Sequence, residues 1–350
     1  MKGAIMMEFK GYRRGINLGG WLSQCNHEKQ HYDSFISEDD IIKIASWGLD
    51  HVRLPIDYEL VQENDGSIKP EGFKYIDSCM KWCKENNLNM ILDVHKTMGY
   101  IFDESKTSKG FFFDEIQQQK FFDLWDELAR RYGKYHDFIA FELLNEVVDY
   151  DVAEKWNEIA KKAVEVIRRY TELTPIILGG VMNNAVFTIK LLPKPFDDHL
   201  VYTFHFYEPL IFTHQSAYWI PEMSRDFSMT YPGEMDLFIK NSKEQLAEEQ
   251  YDIYKKIDLE KLGKMGSDFI EEAIVEAIVI AKEYNIPLYC GEYGVINQAD
   301  LQSTLNWYRD INSVFEKHNI SRAAWTYKEK DFGINDPHYI DIQDQLVKLL

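Results

Sequence analysis

The chain has 350 residues, 45% hydrophobic and 14% aromatic, enough for one large core. Acidic residues outnumber basic ones by 58 to 39, and the net charge of −19 argues against nucleic acid and anionic membranes as partners. No apolar run reaches the roughly 18 residues of a bilayer span. The opening "MKGAIMMEFKGYRRG" holds no apolar stretch of signal-peptide length, so we expect a cytoplasmic protein or a secreted one whose signal was removed.

Short apolar segments recur along the chain, each followed by a helical pattern. The first is "GINLGG" (15–20). The spacing predicts a helix over 37–47, where Ser37 and Asp40 form a capping-box pattern and Gly48 follows the end. "HVRLPI" (51–56) and "NMILDVH" (89–95) are the next two strands. Between them Cys79 and Cys83 share a helix face, but no second Cys or His pair follows at zinc-like spacing. With Cys25 and Cys290 they read as buried free thiols. Helices are expected over 114–132 and 152–170, on either side of the strand "FIAFELLNE" (138–146). "PIILGG" (175–180) and "LVYTFHFY" (200–207) are the fifth and sixth strands. A helix over 267–284 aligns Ile270, Ala273, Ile274, Ala277, Ile278 and Ala281 on one face. "PLYCGEYG" (287–294) and "SRAAWTYK" (321–328) complete the set.

Eight strands alternating with helices predict an α/β fold, a (β/α)8 TIM barrel, with residues 1–350 as one domain. A doubly wound open sheet is the alternative, but "INLGGW" lacks the G-x-G-x-x-G spacing of a phosphate turn. The connection after the sixth strand is far longer than usual. Residues 209–266, rich in aromatics and then in charge, are expected to form an insertion over the barrel mouth that shapes substrate binding.

In a closed barrel the C-terminal strand ends converge on one mouth, where barrel enzymes keep their active sites. Here those ends carry Asn17, Arg53, Asp93, His95, Asn145, Glu146, His205, Tyr207, Glu292 and Trp325. Glycoside hydrolysis needs two carboxyl groups flanking the scissile bond. Strands four and seven face each other across an eight-strand ring, so Glu146 and Glu292 can supply them. Trp325 offers a flat platform for a sugar, and Asn145, His95 and His205 offer polar contacts to its hydroxyls. Each residue also has a plainer reading. The glutamates could be rim ion pairs, Arg53 a structural partner of Asp57 or Glu142, and Trp325 and Tyr327 core aromatics. Trp21, Tyr218 and Trp219 read equally as outer subsites or loop packing.

His27, Glu28 and His31 match H-E-x-x-H, the zincin motif. That chemistry needs both histidines on one face of a helix, and "SQCNHEKQHYDSF" has no helical periodicity. A loop His31 near the sugar site is the better reading, and no metal is expected.

The ordered set "GINLGGWL", "HVRLPID", "LDVH", "ELLNEV", "YTFHFYEP", "YCGEYGV" and "AAWTYK" resembles glycoside hydrolase family 5, of the retaining (β/α)8 clan A. "YTFHFYEPLIFTHQ" with "YPGE" downstream is most similar to the clostridial endoglucanases of that family. The resemblance implies Glu146 as acid/base, Glu292 as nucleophile, and Arg53 and Tyr207 as hydrogen-bond partners of the nucleophile. It further implies that His95, Asn145 and His205 line the sugar subsite and that Trp325 is its floor. Lys96, Thr97 and Met98 depart from the family pattern, which bears on the contacts around His95. The implied activity is a retaining endo-β-1,4-glucanase, a cofactor-free monomer acting on cellulosic or mixed-linkage β-glucan. Glucomannan, mannan or β-1,3-glucan are the alternatives on the same machinery. A non-catalytic carbohydrate-binding barrel and a zinc peptidase are the readings from other classes. A reducing-sugar assay separates the first, and chelators the second.

Overall fold

The computed structural model describes residues 6–102 and 110–350. Its eight long strands are β1 (Arg14–Asn17), β2 (His51–Asp57), β3 (Asn89–Lys96), β4 (Ile139–Glu142), β5 (Ile176–Gly179), β6 (Leu200–Phe206), β7 (Leu288–Tyr293) and β8 (Ser321–Ala324). Each pairs in parallel with the next, and β8 pairs with β1, so the sheet closes into a (β/α)8 barrel. Among the described residues, no helix is long and apolar enough to cross a membrane.

Two strands stop short of the sequence expectation for one reason. β4 ends at Glu142, yet the Leu143 amide still bonds Ile177 O on β5 (3.2 Å) and the Asn145 amide bonds Val94 O on β3 (3.1 Å). Beyond Ala324, Trp325 N bonds Tyr293 O (2.9 Å) and Tyr327 N bonds Asn17 O (2.9 Å). At each of these ends the backbone passes between its two neighbours instead of following one ladder. "LLNEV" and "WTYK" are therefore ordered without being strand.

The helices form where the sequence caps them. The Asp40 carboxylate accepts from Ser37 N (2.8 Å) at the start of Glu38–Ser46. Asp114 accepts from Ile116 N (2.9 Å) at the start of Glu115–Tyr132. Ser267–Tyr284 buries the six predicted residues of its apolar face.

Within residues 209–266 an antiparallel pair, Gly233–Glu234 with Lys264–Met265, ties a short excursion together. It carries the helix Met235–Gln245. Ile211, Phe212, Ile220, Tyr231 and Phe238 of this segment belong to the same hydrophobic cluster as the barrel helices. Tyr231 OH also donates to Asp310 (2.9 Å), on the helix Leu301–His318.

Residues two apart on a strand share a face, and inside this barrel that face changes character along each strand. At the N-terminal end Ile91, Ala140, Ile177, Val201, Tyr289 and Ala323 form an apolar layer with Phe9 and Tyr12. Two residues further on, Asp93 and Glu142 stand above Ile91 and Ala140, fully buried. The site lies at this polar end.

Candidate active site

Arg53, fully buried on β2, organises the mouth. Its Nε and Nη2 donate to the two oxygens of Glu142 (2.7 and 2.8 Å). Nη1 donates to Asn17 Oδ1 (2.9 Å) and Glu292 Oε1 (2.8 Å), and Nη2 to Asn145 Oδ1 (2.8 Å). Asp93 Oδ2 lies 3.1 Å from Nη2. Arg53 is thus at once the structural partner of Glu142 and the partner of Glu292. Asp57 takes no part in this network and pairs with His27 instead (3.3 Å).

Glu292 reaches the interior through a break in strand parity. Tyr289 belongs to the inward layer, so strict alternation would send Cys290 and Glu292 outward. The register of β6 against β7 jumps from Phe204↔Cys290 to His205↔Glu292, skipping Gly291. This irregularity turns Glu292 inward. A Cβ on Gly291 would sit only 3.1 Å from His205 Nε2 and from Thr203 Oγ1, which suits glycine here. Besides Arg53, Glu292 accepts a hydrogen bond from Tyr207 OH (3.0 Å).

Glu146 sits across the mouth. One oxygen of Glu146, one of Glu292 and a ring nitrogen of His205 all lie within 4.8 Å of one another. His205 Nδ1 is 2.7 Å from Glu146 Oε1, and Asn183 Nδ2 donates to Glu146 Oε2 (2.8 Å). Burial raises the Glu146 pKa above the usual carboxylate range, while Asn183, His95 and Arg53 pull the other way. The dominant cause is loss of solvent, not the charge of Glu292. Burial likewise pushes His205 down to about 4, so it is a neutral imidazole at neutral pH. Asp93 is pushed up to about 7, by burial above all.

The sugar-contact candidates join the same mouth. His95 Nδ1 is 2.7 Å from Asp93 Oδ2, and its ring lies parallel to Trp325 (centroids 5.8 Å, 9°). The Trp325 ring occupies the space that a Cβ on Gly19 would fill, at 2.7 Å. Lys96, which departs from the family pattern, turns away to bond Glu59. All eight predicted site residues therefore converge. Tyr327 does not: it is buried and donates to Asp40 (2.9 Å), behind the mouth. Trp21 is also core, with its indole donating to Tyr32 O (2.9 Å). Tyr218 and Trp219 remain exposed, and Trp219 reaches Tyr207 through the rings of His214 and Phe332.

The sequence reading assigns nothing to the fifth strand end, yet Asn183 and Asn184 act there. Asn184 Nδ2 donates to Asn145 O (2.6 Å) and faces His205 Nε2 at 3.4 Å. The signal was "GGVMNN", since Asn is among the few side chains that tolerate left-handed backbone.

The zincin pattern does not assemble. His27 lies before the helix Lys29–Ser34 at φ +57°, outside helical geometry. His31 Nε2 meets Gly20 O at 2.7 Å, and its ring stacks on Phe35. His31 therefore braces the loop at Gly20. His27, Asp57 and Glu59 do cluster. Hydrogen bonding to Asp57 pushes His27 up to about 10, and Lys96 bonds Glu59, so two cations already balance two carboxylates. Cys79, Cys83 and Cys290 are buried free thiols, whereas Cys25 is only partly buried.

A buried carboxyl and a second carboxyl held by a guanidinium, at this separation, can carry out glycosyl transfer through an enzyme-bound sugar. The profile of the cellulase family, glycosyl hydrolase family 5, matches residues 14–331. Cellodextrinase A of Ruminococcus flavefaciens is 43% identical over 91% of this chain and 86% of its own length. Endoglucanase C of Acetivibrio thermocellus is 40% identical over 97% of this chain and 98% of its own. The crystal structure of Thermotoga maritima Cel5A with a mannotriose substrate superposes with a TM-score of 0.77 at 24% identity, covering 97% of each chain, a likeness of fold. The fold and these relatives define an O-glycosyl hydrolase. The chain belongs to glycosyl hydrolase family 5, the cellulase family.

Proposed function

We propose that this enzyme is a retaining endo-β-1,4-glucanase acting on cellulosic or mixed-linkage β-glucan, without metal or cofactor, within one catalytic domain. Glu292 is the nucleophile and Glu146 the acid/base. The spacing of the two carboxyl groups carries the reading. One oxygen of each carboxyl lies within 4.8 Å of the other, which suits the roughly 5–5.5 Å separation of a retaining pair better than the roughly 6.5–9.5 Å of an inverting one.

The asymmetry of the pair supports the roles. Arg53 and Tyr207 donate to the two oxygens of Glu292, which holds the side chain in place to attack the anomeric carbon. Buried Glu146 keeps its proton to higher pH and can give it to the leaving oxygen. As the glycosidic bond breaks, the sugar is held on Glu292. Glu146, now a carboxylate, takes a proton from water, and the water oxygen attacks the same carbon, breaking its bond to Glu292 and releasing that carboxylate. Asn145 Oδ1 accepts from Arg53, which leaves its amide N–H groups as the end to donate to the sugar 2-hydroxyl. Trp325 floors the subsite, His95 and His205 flank it, and residues 209–266 extend it.

A relative named cellodextrinase supports a second reading, in which short cello-oligosaccharides are the preferred substrates. The product profile on long and short β-glucans separates the two: random internal scission supports the endo reading, and release of short units from oligosaccharides alone overturns it.

Azide tests the roles. Glu146→Ala should still glycosylate Glu292 from an aryl glycoside with a good leaving group, then stall, because no base activates water. Azide should restore turnover as the β-glycosyl azide. Glu292→Ala should lose activity by several orders of magnitude, and azide attacking directly should give the α-glycosyl azide. The opposite pairing of azide anomers would exchange the two roles.

A further inference from the structure

β5 ends at Gly179, and the chain then passes through three successive left-handed residues, Met182, Asn183 and Asn184 (φ +54°, +57° and +56°). The turn is pinned on both sides. Asn183 N donates to Val147 O (3.0 Å), and His205 N donates to Asn184 O (2.9 Å). These bonds set where the Asn183 amide can reach, and it meets Glu146 Oε2 at 2.8 Å.

The other oxygen of Glu146 faces a partner whose role is fixed. Asn184 Nδ2 points at His205 Nε2, so that nitrogen accepts and Nδ1 carries the hydrogen. His205 can therefore donate to Glu146 but cannot receive a proton from it without losing its contact to Asn184. Asn183 is not restricted in this way. A primary amide offers an N–H and a carbonyl, and a half-turn of the side chain exchanges them. Around Glu146 stand Glu292 from β7, Arg53 from β2, Asp93 and His95 from β3, neutral His205 from β6, Tyr207 just beyond it, and Tyr100, whose hydroxyl donates to the Glu146 backbone carbonyl. None of these is seen bonded to Oε2.

A retaining mechanism uses both forms of its acid/base in turn. We propose that Asn183 is a positioning residue that serves both protonation states of Glu146. Its N–H holds the carboxylate that accepts the proton of water. Its carbonyl, after a half-turn, holds the O–H of the acid until that proton passes to the leaving oxygen. Asn183 is exposed on the cleft wall in the free enzyme, so bound substrate would strip water from this bond and strengthen it. The inference rests on Glu146 as acid/base.

The test is the alkaline limb of kcat/KM on an aryl β-cellobioside with a poor leaving group, which needs acid assistance. Asn183→Gly removes the amide and tolerates left-handed backbone. Its limb should move up by roughly one pH unit, because of the two bonds lost the charge-assisted one, N–H to carboxylate, is the stronger. Asn183→Asp keeps the shape but sets a second acid beside Glu146, and its limb should move further up. Unfolding temperatures check that both variants fold. If both lose the same factor of activity at every pH, with the limb in place, Asn183 is merely structural and the inference fails. Glu146→Gln separates the two levels. It should abolish the limb, and if the limb persists there, the acid/base assignment itself falls.

Discussion

The two ends of the barrel use the same strands for opposite purposes. At the N-terminal end Phe9 stacks on Tyr12 (centroids 4.3 Å), and together they close an apolar layer. The polar intrusions there are few: His51 is satisfied on both ring nitrogens by Asp50 and Tyr289 (2.7 and 3.0 Å), and the Tyr12 hydroxyl is buried without a partner among the described residues. At the C-terminal end one guanidinium serves Asp93, Glu142 and Glu292, and Asp93 Oδ1 is buried without a hydrogen-bond partner among the described residues. Burying apolar area stabilises a fold, whereas burying charges seldom does so. The difference teaches that the mouth is arranged for chemistry, at a cost in stability that the closed end offsets.

The largest expected effect comes from Arg53→Met, which would leave three buried acids uncompensated. Breaking such pairs costs about 3–5 kcal/mol of stability. A loss of similar size in transition-state stabilisation is roughly a thousandfold in kcat/KM. Denaturant unfolding and steady-state kinetics read both, and activity within tenfold of the parent would remove the functional meaning of the polar end. At the closed end Phe9→Ala should cost about 3–4 kcal/mol in unfolding experiments. Its kcat/KM below the unfolding transition should not change. A marked kinetic defect there would show that the two ends are coupled.

Tyr207→Phe sharpens the contrast by removing one hydroxyl from Glu292. Hydrogen bonds to charged groups are worth about 1.5–3 kcal/mol, so turnover should drop by roughly 10–100-fold with nearly unchanged stability. Unchanged turnover would exclude Tyr207 from the mechanism.

pH separates the ends by another route. Burial lowers His205 to about 4 in the fold, against about 6.5 for a free imidazole. On acidification the unfolded chain takes this proton first, so this contribution is full above pH 6.5 and lost as pH falls toward about 4. The stability difference between the parent and His205→Gln should shrink across that window, while the Phe9→Ala difference stays flat. A constant gap for His205→Gln would refute the buried neutral imidazole.

The smallest effect concerns residues 209–266, proposed to extend the mouth. Tyr218→Ala and Trp219→Ala remove exposed rings of that segment. Each should weaken polymer cleavage by several-fold, about 0.5–1.5 kcal/mol, and leave a short aryl glycoside untouched. Equal losses on both substrates would place these rings in the chemical step.

Periodicity, caps and ordered polar strand ends were enough to read the barrel, its helices and the set from Arg53 to Trp325. They are local or patterned properties, and each strand end must meet the others once the sheet closes. The inward aim of Glu292 was not legible, because alternation from Tyr289 points it outward and only pairing against β6 creates the irregularity at Gly291. Nor was the partnership of Asn183 with Glu146, which depends on a turn held by Val147 and His205, residues remote in sequence. The cause of the Glu146 shift was likewise a matter of three dimensions. A carboxylate neighbour can be guessed from two glutamates in a sequence, but burial belongs to the closed barrel. Sequence determined which groups come to the mouth. Tertiary structure decided which way they face and how much water they keep, because register and solvent exclusion arise only when distant segments pack.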